Sequence, residues 1–334
     1  MKVLYILVSS TSDYYFEQAL VSITSLRYVM PNASVSLLVD DRTDAGLVEN
    51  RAKIKGLVDE FKAISFDDSV NAVDRSRSLK TRMRELVGGD FLYVDVDTVW
   101  SCPYDENDFT ADVMAVADAH CLQKEHPLNY WIVETARKLN FYSKHDWHFN
   151  GGIFFMKDSA PAHDFAKQWF KLWKETCDKG IHIDQPSLNE TNYRMNSIIK
   201  RLPDEYNVQI GRCLNYLDSA KIIHYFATWN TDETCESFYE FSKKSFLESI
   251  RKNGIDEESM AVICNPKKAF DKNTYILNYK MAKAIFSPDG NMLLNICQSE
   301  KSAEKRLRYI LIKVAKTYYK VIPILYPIYR IFKK

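Results

Sequence analysis

Short, mostly apolar runs that stop on serine or aspartate constrain this chain more than any other feature. Residues 2–8 (KVLYILV) stop at Ser9-Ser10, residues 35–39 stop at Asp40-Asp41, and residues 91–94 (FLYV) stop at Asp95. Near-continuous apolar runs fit strands covered on both faces, as in a parallel sheet. Between them, Phe16, Leu20, Ile23, Leu26 and Val29 recur near helical period until Pro31-Asn32. Helices are also expected over 44–59 and over 74–87, the second ended by Gly88-Gly89, with a further strand near 61–66. Strands alternating with helices predict a doubly wound α/β sheet. Ligands of such sheets sit outside the carboxyl ends of the strands. Chemistry is therefore sought at Ser9-Ser10, at Asp40-Asp41 and just after Val94.

Downstream, 113–117, 153–156 and 222–226 read as strands, and 162–177, 236–251 and 273–285 as helices. Seven cysteines, at 102, 121, 177, 213, 235, 264 and 297, form no CxxC pair. That pattern fits reduced cytosolic thiols better than a disulfide framework or a zinc site. His145 and His148 lack the companion ligands of a zinc pair. No GxGxxG, P-loop or GxSxG motif is present, which argues against dehydrogenase, P-loop and serine-hydrolase chemistry. Basic residues do not alternate with aromatics across the body, so nucleic acid is not an expected partner.

The charge-bearing motif is Asp95-Val96-Asp97, directly after FLYV. Side chains two apart on an extended segment point the same way, so both carboxylates can share one hard divalent cation. A departing diphosphate needs such a cation to neutralise its charge. The same triplet is also compatible with a solvated turn at a strand end.

With these segments in order, the sequence resembles glycosyltransferase family 8, the glycogenin-like retaining enzymes. The resemblance rests on Ser9-Ser10 followed by Asp13-Tyr14, on Arg77-Ser-Leu-Lys80, and on FLYVDVDTV (91–99), FNGGIFFM (149–156), DQPSLN (184–189), LPDEYN (202–207) and IIHYF (222–226), spanning about residues 1–230. It implies a GT-A, Rossmann-like nucleotide-diphospho-sugar transferase fold with a mixed central sheet, followed by a mainly helical C-terminal region. It implies Mn²⁺, with Mg²⁺ as a substitute, held by Asp95, Asp97 and His224. Ser9, Ser10, Tyr14, Asp40 and Val96 are expected at the nucleotide. Arg77 and Lys80 are expected at the phosphates or the donor sugar, although their basic helix could equally be a solvated face. Asn150 and Gly151 are expected at the sugar pocket, and Asp184 and Gln185 near the anomeric carbon. Asp184, followed by Pro186, also reads as a plain helix N-cap. After the histidine, where the family usually shows Gly-x-x-Lys and Pro-Trp, this chain reads His224-Tyr-Phe-Ala-Thr-Trp229-Asn. The departure implies either that Arg77, Lys80 or another base stands in for the lysine, or that the phosphate site is weaker.

The expected organisation is a catalytic domain over 1–230, a helical extension over 231–300 and a basic amphipathic segment over 301–334. That last segment holds ten Lys/Arg against one acid, Glu304, in a chain whose net charge is only +1. On a helical wheel Leu307, Ile310, Leu311, Val314 and Tyr318 face away from Lys305, Arg306, Lys313, Lys316 and Lys320. Such a helix can lie in the headgroups of an anionic membrane. The first strand is too short to be a signal peptide, and no run of about 18 apolar residues occurs. The resulting expectation is a cytoplasmic enzyme, peripheral at the inner face of the membrane. It would move a hexose from a UDP-sugar to a glycan or lipid-linked acceptor, such as lipopolysaccharide or a surface polysaccharide. The alternatives are a sugar-nucleotide nucleotidyltransferase, which normally needs a glycine-rich basic loop absent from SSTSDYY, and a non-catalytic nucleotide-sugar-binding protein.

Overall fold

The computed structural model describes residues 1–226, 239–270 and, further on, 292, 293, 295, 296, 299, 301–314 and 317. It divides into two units, Met1–Thr274 and Tyr275–Lys334.

In the first unit the strands are β1 (Lys2–Leu7), β2 (Ser34–Asp40), β3 (Glu60–Ile64), β4 (Phe91–Val94), β5 (Thr98–Trp100), β6 (Val113–Leu122), β7 (Trp147–Met156), β8 (Lys200–Arg201), β9 (Val208–Gln209) and β10 (Ile222–His224). The helices are α1 (Tyr15–Val29), α2 (Asp41–Ala45), α3 (Glu49–Ala52), α4 (Ala72–Thr81), α5 (Met83–Leu86), α6 (Asn129–Leu139), α7 (Ala160–Cys177), α8 (Gln185–Arg194), α9 (Lys244–Asn253) and α10 (Glu257–Ile263). Seven strands form one mixed sheet in the order β3-β2-β1-β4-β7-β6-β8. β1 runs parallel to β2 and β4, whereas β7 runs antiparallel to both β4 and β6. A small second sheet, β5-β10-β9, stands at the carboxyl end of β4.

The central strands β1, β4 and β7 are almost wholly buried because both faces are covered. Val3, Tyr5 and Leu7 of β1 pack with Phe16, Ala19, Ile23 and Leu26 of α1. Leu4 and Ile6 point the other way, to Leu79, Met83, Phe165 and Trp169 of α4, α5 and α7. A third cluster joins Val99, Val208 and Ile223 of the small sheet to Phe246, Leu247 and Ile250 of α9. Arg251 of α9 reaches the buried Glu17 of α1 at 2.8 Å. The segment 239–270 therefore packs into the first unit.

Three expected helices differ. The stretch 44–59 is broken into α2, α3 and a 3-10 turn at Lys53–Leu57; it carries Gly46 and Gly56, and Glu49 sits at φ 49°. The stretch 74–87 splits at Arg82, whose ψ of 4° leaves the helical range. Of 236–251, the helix proper starts at Lys244; residues 236–238, and the helix expected over 273–285, lie outside the described residues. Strands β6 and β7 are longer than expected. β6 passes through Ala119 (φ 58°) and His120 (φ 56°), left-handed positions that periodicity cannot reveal.

In the second unit residues 302–314 are helical. Leu307, Ile310 and Val314 are exposed there. Tyr318, Lys316 and Lys320 lie outside the described residues. Among the described residues no helix is long and apolar enough to cross a membrane.

Candidate active site

β4 ends at Val94, and the chain continues through Asp95 and Asp97 into β5. Two-residue periodicity puts Tyr93 and Asp95 on one side, where the Tyr93 hydroxyl donates to Asp95 Oδ1. β10 pairs with β5 in a register that sets His224 against Thr98. This pairing brings His224 Nε2 to 3.2 Å from Asp97 Oδ1. One ligand atom each from Asp95, Asp97 and His224 lies within 4.8 Å of the others. Two carboxylates and an imidazole suit a hard to borderline divalent cation such as Mn²⁺. Burial pushes the Asp97 carboxyl up, but His224 outweighs it and holds the group below its ordinary value. The reverse holds at His224, where burial lowers the imidazole and Asp97 raises it further.

A chain of buried hydrogen bonds fits the His224 ring to this role. Asp118 can only accept, and its Oδ1 receives Asn150 Nδ2 at 3.2 Å. The Asn150 amide is thereby oriented, and its Oδ1 accepts Asn207 Nδ2 at 3.0 Å and Gly152 N at 2.9 Å. Asn207 then presents Oδ1 to His224 Nδ1 at 3.0 Å. Nδ1 must carry a proton, so the neutral ring would offer its Nε2 lone pair to a cation shared with Asp97. Asp118 Oδ2 also accepts Gln185 Nε2 at 2.9 Å and lies 3.1 Å from His126 Nε2. One carboxylate thus anchors both the histidine relay and Gln185. Asp118 and Asn207 had no assigned role in the sequence. The signal for Asn207 was its place in LPDEYN; the bulged continuation of β6 concealed Asp118.

Beside the metal-type cluster lies a second set of charges. Lys80, 3% exposed, places its Nζ 3.1 Å from Asp95 Oδ1 and 3.5 Å from Asp184 Oδ2. Arg77 Nε lies 3.1 Å from Asp184 Oδ1. Asp184 occupies the N-cap position of α8, but its side chain caps no backbone N–H. Burial raises its carboxyl, yet Lys80 and Arg77 prevail and hold it below the ordinary value. The N-cap alternative fails for that reason, and Arg77 and Lys80 are not a solvated face.

The glycines of FNGGIFFM permit close approach. A Cβ on Gly151 would lie 3.2 Å from Asp184 Oδ2. On Gly152 it would press into His224 Cε1 and lie 2.9 Å from both His224 Nδ1 and Asn150 Oδ1. Gly152→Ala is expected to push the imidazole out of line and weaken Mn²⁺ binding, with a stability loss of about 1–3 kcal/mol. Isothermal titration with Mn²⁺ and chemical denaturation check both parts; unchanged Mn²⁺ affinity would count against this packing.

The nucleotide-side expectations fare unevenly. Ser9 and Ser10 share Asp13, with Ser9 Oγ donating to Asp13 Oδ1 at 2.7 Å and Ser10 N to Oδ2 at 2.7 Å. Val96, between the two aspartates, is half-buried against the core. Tyr14 donates to Glu248 at 3.0 Å and lies under Arg251, so its hydroxyl is engaged with α9. Asp40 departs from expectation. It is fully buried, caps α2 through Thr43 N at 3.0 Å, and pairs with Arg75 Nε at 2.5 Å. Its carboxylate is used inside the fold and presents no edge to a nucleotide. Trp229, in the divergent segment after His224, lies outside the described residues.

His148 is 4% exposed, and among the described residues neither ring nitrogen has a hydrogen-bond partner. Burial pushes its pKa down to about 4. The fold therefore favours neutral His148, a contribution present above about pH 6.5 and lost as pH falls towards 4. His148→Phe is expected to remove about 3 kcal/mol of that acid-side loss. Denaturation curves at pH 7 and pH 4.5 test it; an equal loss in both proteins would refute it.

The fold agrees with that of solved glycosyltransferase structures. Galactosyltransferase LgtC, solved with donor and acceptor sugar analogs, aligns at a TM-score of 0.50 and 16% identity, covering 78% of this chain and 99% of that one. An active-site mutant of LgtC aligns at 0.49 and 15%, covering 77% and 98%. No curated protein matches the sequence. At such identity the likeness speaks to the GT-A fold. The sequence profile of the nucleotide-diphospho-sugar transferases goes further, matching residues 77–247, just over half of the chain, from Arg77 through the aspartate pair to His224 and α9. With that match in place, the chain belongs to the nucleotide-diphospho-sugar transferase family.

Proposed function

We propose that the enzyme transfers a hexose from a UDP-sugar to a glycan or lipid-linked acceptor, with retention of anomeric configuration and with Mn²⁺ held by Asp95, Asp97 and His224. The observation that carries this reading is the convergence of those three side chains beside the Arg77–Asp184–Lys80 cluster. When bound, the cation supplies neutralisation of the diphosphate leaving group. Arg77 and Lys80 keep Asp184 ionised, so that its carboxylate faces positive charge developing at the anomeric carbon. Gln185, tethered through its amide nitrogen to Asp118, presents its amide oxygen as an acceptor. Ser9 and Ser10, at the end of β1, lie on the nucleotide side, and Asn150 with Gly151 lines the sugar pocket.

The fingerprint of this activity is UDP release that requires Mn²⁺ and an acceptor. Nuclear magnetic resonance of the fresh product then reports its configuration; an inverted anomer would overturn retention. The basic helix at 302–314 supports a membrane-surface acceptor, such as a lipopolysaccharide or other surface polysaccharide precursor, reached at the inner face of the cytoplasmic membrane. Flotation with anionic liposomes should be lost when 301–334 are deleted, and equal flotation of both forms would remove the membrane from the proposal.

A further inference from the structure

Away from the aspartate pair, a second set of metal-type donors converges from three separate elements. Asp74 lies in the first turn of α4, Cys177 ends α7, and His182 lies in the connection to α8. Ligand atoms from these three lie within 4.8 Å of one another. His182 Nδ1 is already 2.6 Å from Asp74 Oδ1. The other Asp74 oxygen accepts Asn71 Nδ2 at 2.7 Å, and the His182 carbonyl accepts Trp173 Nε1 at 2.9 Å. Asn71 thus holds the Asp74 carboxylate through its second oxygen, as outer partners do at metal centres, and Trp173 fixes the backbone at His182. The imidazole is 44% exposed, so an ion can enter from solvent.

We propose that Asp74, Cys177 and His182 form a zinc site. A thiolate beside an imidazole selects a borderline-soft ion over Mn²⁺ or Mg²⁺, and three protein ligands leave a fourth position for water. Ligand atoms on one tetrahedral zinc lie about 3.5 Å apart, so small rotations of the His182 and Cys177 side chains close the set. On binding, the Cys177 thiol releases its proton to solvent and its sulfur takes the metal. The ion would tie the start of α4 to the α7–α8 connection, three residues before Arg77 and two before Asp184. It would therefore brace the two segments that carry the Arg77–Asp184 ion pair. Spacing along the chain does not reveal this site, because Asp74 lies about a hundred residues from its partners.

The test uses the full chain carrying Asp97→Asn, which disables the other metal-type cluster, after treatment with a chelator. Zn²⁺ should then bind in one equivalent, measured by competition with a chromophoric chelator. Co²⁺ in its place should give thiolate-to-metal charge-transfer absorption. Cys177→Ser should abolish that absorption and weaken Zn²⁺ by more than the roughly 10–100-fold that loss of an outer partner costs. His182→Gln should weaken it comparably. Zn²⁺ should also protect Cys177 from iodoacetamide, read by peptide mapping on the protein without the cysteine or histidine substitutions, so the result does not depend on either variant folding. No thiolate absorption, equal Zn²⁺ affinity after Cys177→Ser, or unprotected Cys177 would each overturn the proposal.

Discussion

Asp97→Asn is expected to lower sugar transfer by at least about 10³-fold and to abolish the Mn²⁺-dependent thermal shift caused by UDP. The substitution keeps the shape of the side chain and removes its charge. Asp97 faces His224 Nε2 at 3.2 Å on one side of the cluster, while Lys80 already engages Asp95 on the other. With Asp97 neutral, Asp95 is the only carboxylate left for the ion, and it is shared with a buried ammonium. The remaining set is one imidazole and one half-neutralised carboxylate, too weak in charge for a hard cation in competition with water. UDP at about 100 times its dissociation constant stabilises a fold by about 2.7 kcal/mol, so the shift is measurable in the unsubstituted protein. An intact Mn²⁺-dependent shift in Asp97→Asn would place the ion elsewhere.

How far the chain could be read without coordinates depended on whether a feature was local. FLYVDVD exposes both a buried strand and a pair of carboxylates on it, because two-residue periodicity is written directly in the residues. The same holds for IIHYF, where an apolar run delivers one imidazole. Asp40 looked equivalent, since it too ends an apolar run. Its fate depended on Arg75, 35 residues on, and on Thr43 in the next turn. An aspartate followed by a short helix is as good an N-cap as a ligand, and only the packing of α4 against β2 decides. The case of Asp184 runs the other way. Its local pattern was that of an N-cap, yet Arg77 and Lys80 from a distant helix take the carboxylate instead. The stretch 44–59 breaks into short pieces, and it holds Gly46 and Gly56, each of which costs a helix interior about 1 kcal/mol relative to alanine.

The least legible part of the site is the relay behind His224, and it leads to the second large expected effect. Asn207→Leu is expected to weaken Mn²⁺ by about 10–100-fold, the range for losing a partner that orients a metal-bound histidine. Leucine is close to asparagine in size but neither accepts the His224 Nδ1 proton nor donates to Asn150. Two buried groups then lose a partner, at a cost of about 1–3 kcal/mol each. The ring is no longer held in the tautomer that leaves Nε2 unprotonated. Asn207→Asp separates orientation from mere folding. An aspartate still accepts from Nδ1–H, so much of the ring's alignment should survive. It cannot donate to Asn150 Oδ1, and Asn150 cannot turn round without setting its own oxygen against Asp118. The aspartate variant should therefore lose stability as the leucine variant does, while needing distinctly less Mn²⁺ for half-maximal UDP binding. Titrating Mn²⁺ at fixed UDP, alongside denaturation of both variants, gives the two readings. If both need the same Mn²⁺ as the unsubstituted protein, His224 is held by its strand pairing alone and the amides behind it serve only the packing of the core.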